Sequence, residues 1–190
     1  MARHSTMLAL GTQAPAFALP DVNGTMRRLA EFSDAPALLV AFICNHCPYV
    51  KHILEAFVRF ANEYVAKGLA VVAVSSNDVE SYPQDGPGPM ARLAAEQGFG
   101  FPYLFDESQA VAKAYQAVCT PEFFLFDRER RLVYRGQFDA SRPRSDIVVT
   151  GTDLRAAADA ALAGKPMPSV QRASTGCSIK WKPGNAPDEA

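Results

Sequence analysis

The chain has 190 residues with 19 Lys and Arg against 20 Asp and Glu, room for one sizeable domain and its core but not for two independent ones. A formal net charge of −1 supplies no field that would draw the protein to nucleic acid or an anionic membrane, so neither is expected as a partner. No segment approaches the roughly 18 apolar residues that span a bilayer, and the N-terminal "MLAL" is too short for a secretory h-region, so a cytoplasmic location is expected.

"PAFALPDVNGTMRRLAEF" holds two short extended runs around Asn23-Gly24, a dipeptide suited to a tight turn, and predicts an N-terminal β-hairpin. After Pro36, "ALLVAFI" is apolar throughout and reads as a central strand buried on both faces. From about Asn45, Val50, Ile53, Leu54, Phe57, Val58 and Ala61 recur at helical spacing until Gly68. "LAVVAVSS" is a second buried strand, so residues 37–76 form a right-handed parallel strand-helix-strand crossover. "NDVESYPQDGPGP" is a loop, whose 82–89 part is either a wall of the site or an idle insertion, and "MARLAAEQG" is a helix. "FPYLFD" is a short extended piece, and "ESQAVAKAYQAV" is a helix with Asp106 or Ser108 as its cap. "EFFLFD" and "LVYRGQF" make an antiparallel hairpin across "RERR", and "TDLRAAADAALAG" is a helix capped by Thr152 or Asp153 and ended by Gly164. From Lys165 onward no periodicity persists. The pattern predicts an α/β fold with a mixed central sheet flanked by helices, a main domain over 1–168 and an extended C-terminal tail, 169–190, that packs back on it.

The chemistry concentrates in "AFICNHCPYVKHI", where Cys44 and Cys47 stand two residues apart at a strand-to-helix switch. Four readings are open for such a pair: a redox dithiol, half a zinc site, a peroxide-reducing cysteine with a neighbour, or a structural disulfide. In a reducing compartment the structural disulfide is the weakest. Free N–H groups and the dipole at a helix N-terminus favour a thiolate, and the switch is expected to put Cys44 there. The spacing lets the second sulfur lie about one turn along and close a disulfide without rebuilding the backbone. Pro48 complicates the order of attack: a helix beginning at Pro48 makes Cys47 the capping residue and the better nucleophile. Zinc would need Cys44, Cys47 and Cys119 with His46 or Cys177, and no second compact pair is present, so neither metal nor cofactor is expected.

Cys44-Asn45-His46-Cys47 after a buried strand, with Thr120-Pro121 far downstream before "EFFLFD", resembles the thioredoxin-like superfamily. "GTQAPAFALPDVNGTMRRLAEF" looks like the N-terminal hairpin of its redoxin branch, and "CNHCPYVK" with the late "GCSIKW" resembles a peroxiredoxin-like group within it. The resemblance covers about residues 10 to 164. It implies a thioredoxin-like fold in which Cys44 attacks a substrate disulfide and Cys47 resolves the mixed disulfide. It also implies a cis Thr120-Pro121 bond that sets Thr120 and Pro121 to bind an extended substrate beside the dithiol. His46, between the two sulfurs, would stabilise the thiolate and make the disulfide more oxidising than that of thioredoxin.

Two departures from related families qualify the resemblance. Leu38 stands where thioredoxin has a buried acid, leaving Glu122 and His52 as alternative proton acceptors. If Cys47-Pro48 matches the Cys-Pro of peroxiredoxins, their peroxide-holding threonine falls on Cys44 and their arginine near Pro121. Cys119, just before Thr120, and Cys177, in the tail that Ile179 and Trp181 would anchor, are accessory thiols that either relay a disulfide or stay inert. The function expected is thiol-disulfide oxidoreduction with a protein or low-molecular-weight thiol or disulfide substrate and a separate reductant or oxidant protein. The alternatives are a thiol peroxidase and a non-catalytic redox-sensing module.

Overall fold

The computed structural model describes residues 2–187. In chain order its first elements are β1 (Ala2–His4), β2 (Ala18–Pro20), β3 (Met26–Arg28), β4 (Leu38–Phe42), α1 (Pro48–Ala66), β5 (Ala70–Ser75) and α2 (Pro87–Gln97). They are followed by β6 (Tyr103–Phe105), α3 (Ala110–Ala114), β7 (Cys119–Thr120), β8 (Glu122–Phe126), β9 (Leu132–Gly136), α4 (Thr152–Ala163) and β10 (Thr175–Ser178).

Five strands form the central sheet in the order β6-β5-β4-β8-β9, with β5 parallel to β4 and β6, and β8 antiparallel to β4 and β9. β4 is apolar throughout because both its faces are covered. Leu39, Ala41 and Ile43 face a core shared with α1 and α4, while Leu38, Val40 and Phe42 face a second core containing Tyr115, Phe124 and Phe126. α1 buries the stripe Val50, Ile53, Leu54, Phe57, Val58, Phe60, Ala61 and Tyr64 against the first core. The Phe57 ring packs on Phe101, Phe123 and Phe138, so truncating it to Ala would cost about 3–5 kcal/mol. β2 and β3 form the predicted hairpin.

The differences from the sequence reading lie at element boundaries and in a second sheet that the tail joins. α1 starts at Pro48 rather than near Asn45, since proline's fixed φ and missing N–H suit the first helical position. The same rule starts α2 at Pro87, inside the stretch read as loop, with a 3₁₀ turn over Pro83–Asp85 before it. α3 is a short helix entered through Gln109 at φ 63°, and the Asp106 carboxylate accepts the Val111 and Ala112 amides. α4 is capped by Gly151, not by Thr152 or Asp153. The tail is not wholly irregular: β10 pairs antiparallel with β7 on one side and β1 on the other, making a second, three-stranded sheet. Among the described residues, no helix is long and apolar enough to cross a membrane.

Candidate active site

At the end of β4 the chain turns through Ile43–His46 and enters α1, with Cys47 in extended conformation (φ −64°, ψ 124°) as the residue capping that helix. Both Cys44 and Cys47 are buried thiols, and they meet at Thr120. The Cys44 sulfur lies 3.5 Å from Thr120 Oγ1, and the Cys47 thiol donates to the Thr120 carbonyl at 3.1 Å. The Thr120-Pro121 bond is cis, as the resemblance implied. β8 runs beside β4, with Glu122 opposite Phe42, and this register brings the preceding Thr120 to the dithiol.

The two thiols are electrostatically unequal. The S–H of Cys44 donates to the Cys47 sulfur and draws the Cys47 pKa below the ordinary thiol range. Burial opposes that shift, while the Cys177 thiol, the Thr120 hydroxyl and the Val50 amide reinforce it. The Thr120 carbonyl accepts from the protonated form only, so ionisation surrenders that bond. Cys44 moves the other way, far above the ordinary range, because its proton is held by Cys47, its sulfur is buried and the Asp85 carboxylate faces it. The expectation that Cys44 occupies the helix N-terminus is therefore corrected. With Pro48 as first helical residue, Cys47 is the residue at the helix N-terminus, where the terminal amides favour its ionised form.

Asp85, which sequence reasoning passed over inside a Pro- and Gly-rich loop, organises the turn. One of its buried oxygens accepts the backbone N–H of Asn45 at 2.8 Å and of His46 at 3.1 Å. The other meets His46 Nδ1 at 2.5 Å and accepts Asn77 Nδ2 at 2.8 Å. The His46 ring stacks on Tyr82, with centroids 5.0 Å apart, and its Nδ1 is spent on Asp85. Cys44, His46 and Asp85 do bring ligand atoms within 4.8 Å of one another. Each Asp85 oxygen already has two nitrogen partners, however, which fits the carboxylate to bracing the loop better than to ligating an ion. The only sequence signal for Asp85 was an acid in a loop one crossover away from the dithiol.

The remaining candidates disperse. Cys119 turns its thiol to Glu122 Oε2 at 3.7 Å, and burial, with that carboxylate beside it, pushes its pKa up. Glu122 is fully buried, accepts the Val118 and Cys119 amides, and is itself raised by burial. Leu38 faces the second core. His52 bonds Ser141 Oγ at 3.1 Å in a small cleft bordered by Pro121 and Arg142, whose guanidinium is engaged by Asp139 O, Ser141 O and Gln137 Oε1. The structure thus gathers Cys44, Cys47, Thr120, Pro121 and Cys177 and leaves Cys119, Glu122 and His52 directed elsewhere.

A mixed sheet, a helix-capping thiol with a second thiol against it, and a cis-proline beside them define a thioredoxin-like redoxin fold. The chain belongs to the AhpC/TSA family, whose model matches residues 10–135. It is similar to an uncharacterized conserved protein of Geobacillus kaustophilus, with 54% identity, a TM-score of 0.95 and coverage of 97% of this chain and 98% of that one. The Mycobacterium tuberculosis protein named "Putative peroxiredoxin Rv2521" is 28% identical over 113 residues, 60% of this chain and 67% of that one. The thioredoxin domain of thiol-disulfide oxidoreductase BVU-2223 from Bacteroides vulgatus, 21% identical, shares the fold with a TM-score of 0.58 over 78% of this chain and 96% of that one.

Proposed function

We propose that the protein is a thiol-disulfide oxidoreductase in which Cys47, with Cys44 beside it, is the attacking sulfur of a dithiol–disulfide cycle. The observation that carries this reading is Cys47 as the capping residue of α1, with Cys44 meeting it at Thr120. The Cys47 thiolate attacks one sulfur of a substrate disulfide, the other leaves as a thiolate, and a second thiol of this chain then attacks Cys47 to release the rest of the substrate. Two protein thiols are oxidised as one disulfide is reduced to two thiols. Because stabilising a thiolate stabilises the reduced form, the protein disulfide is oxidising, and a separate reductant restores the dithiol. Four free thiols suit a reducing, cytoplasmic setting.

A thiol-peroxidase reading draws on one observation, Cys47-Pro48 at a helix start, together with the name of the mycobacterial relative. Against it, Cys44 occupies the threonine position and the Arg142 guanidinium is engaged elsewhere. Stopped-flow mixing of the reduced protein with a low-molecular-weight disulfide and, separately, with hydrogen peroxide decides between them. Disulfide exchange is expected to fall about 100-fold or more in Cys47→Ser. Wild-type rates in that variant would sink the proposal, and a peroxide reaction outrunning disulfide exchange would move the assignment to peroxidase.

A further inference from the structure

The backbone edge at Thr120, expected to pair with an extended substrate, is already occupied by the chain's own tail. β10 sets Cys177 opposite Thr120 and Ser178 opposite Cys119, and the Ile179 amide continues the ladder to the Val118 carbonyl at 3.0 Å. Gly176 makes this approach possible: a Cβ there would meet the Thr120 carbonyl oxygen at 1.9 Å and its carbon at 2.5 Å. Beyond β10 the tail is fastened down. Lys180 N donates to Asn77 Oδ1 at 2.8 Å, Asp78 N to Lys180 O at 2.7 Å, and Lys182 N to Gln109 Oε1 at 2.9 Å.

This seating delivers a third sulfur to the start of α1. Cys177 stands opposite Thr120, whose carbonyl accepts the Cys47 thiol, it packs against the core that holds Cys47 and interacts with that sulfur, and it is only half-buried. Cys44, by contrast, is enclosed and faces the Asp85 carboxylate.

We propose that Cys177 is the thiol that resolves the adduct on Cys47, forming a Cys47–Cys177 disulfide, and that the oxidant is a low-molecular-weight disulfide because β10 covers the edge a polypeptide would need. The proposal rests on Cys47 being the attacking sulfur. In the first step the Cys47 thiolate takes one half of the disulfide RSSR and expels RS⁻. In the second, Cys177 loses its proton to a released RS⁻ and attacks Cys47 Sγ, expelling the other RS⁻. Two cysteine thiols become one disulfide and RSSR becomes two RSH. Cys44 stays protonated throughout and keeps its hydrogen bond to Cys47 until the sulfur is consumed. Burial and the neighbouring Cys47 push the Cys177 thiol up to about 11, yet it remains easier to ionise than Cys44, and its penalty shrinks once Cys47 carries no charge.

The test oxidises the reduced, full-length protein with a small excess of oxidised glutathione and maps disulfides by tryptic peptide mass spectrometry. Cys44 and Cys47 share peptide 29–51, whereas Cys177 lies in peptide 173–180. A joined 29–51/173–180 pair is expected in the wild type, and a disulfide confined to peptide 29–51 would overturn the proposal. In Cys44→Ser, two equivalents of glutathione should be released, falling to one in Cys44→Ser/Cys177→Ser. One equivalent from Cys44→Ser, with a stable glutathione adduct on Cys47, overturns the role of Cys177 and leaves Cys47 as nucleophile. No release at all overturns both, and two equivalents from the double variant would assign resolution to Cys119 instead.

Discussion

Asp85 takes part in no bond exchange, yet four nitrogens from Asn45, His46 and Asn77 converge on its two oxygens. Its charge bears directly on the dithiol by raising the Cys44 pKa, which keeps that proton available to Cys47. The thiolate preference of Cys47 thus arises from neighbours distant in sequence, Thr120 and Cys177, as well as from Cys44. The sequence pointed to His46 as the tuning group; the structure ties that ring to Asp85 and Tyr82. Because the folded pKa of Cys47 is depressed, its thiolate contributes stability that is fully present above the unfolded thiol pKa and is lost as pH falls through the folded value. Iodoacetamide modification of Cys47, followed by peptide mass spectrometry, should accordingly reach half its maximal rate well below the free-cysteine value of about 8.5. A midpoint at or above that value would remove the basis for calling Cys47 the nucleophile.

The elements around the dithiol differed greatly in how plainly the sequence announced them. β4, α1 and β5 were legible because an unbroken apolar run and a long helical stripe each report on burial within a single segment. The start of α1, and with it the order of the two cysteines, hinged on Pro48. β10 was illegible for a physical reason: "TGCS" has no alternation of apolar and polar residues, and its extended state is imposed by β7 and β1 rather than by its own composition. Gly176 is where that imposition is most exposed to test. Gly176→Ala places a methyl 1.9 Å from the Thr120 carbonyl oxygen, so β10 should detach while the five-stranded sheet survives. Limited proteolysis should then cut between residues 169 and 187 at least about tenfold faster than in the wild type, the equivalent of about 1.4 kcal/mol lost locally. Unchanged protection would mean that the Thr120 contact does not hold the tail.

Across the whole molecule, two cores on opposite faces of one sheet bury β4 on both sides and set where the turn after it begins. The mixed sheet and the parallel crossover could be read from residue patterns, but the alignment of Thr120 with the dithiol entered only through the family resemblance. It depends on β8 lying beside β4, a long-range pairing that local composition does not specify. Asn77 sends its amide nitrogen to Asp85 and its carbonyl oxygen to the backbone of Lys180, so a single side chain is shared by the dithiol turn and the tail. Two segments joined in this way open as a cooperative unit: neither can be loosened without spending the other's hydrogen bond. In Asn77→Ala, amide hydrogen exchange at Asn45, His46 and Lys180 should accelerate together, by about 10-fold or more for bonds worth roughly 1–3 kcal/mol. Acceleration at Lys180 alone would show two independent openings. If the three move as one, a disturbance of the tail at Lys180 will register as breathing of the loop that carries Cys44.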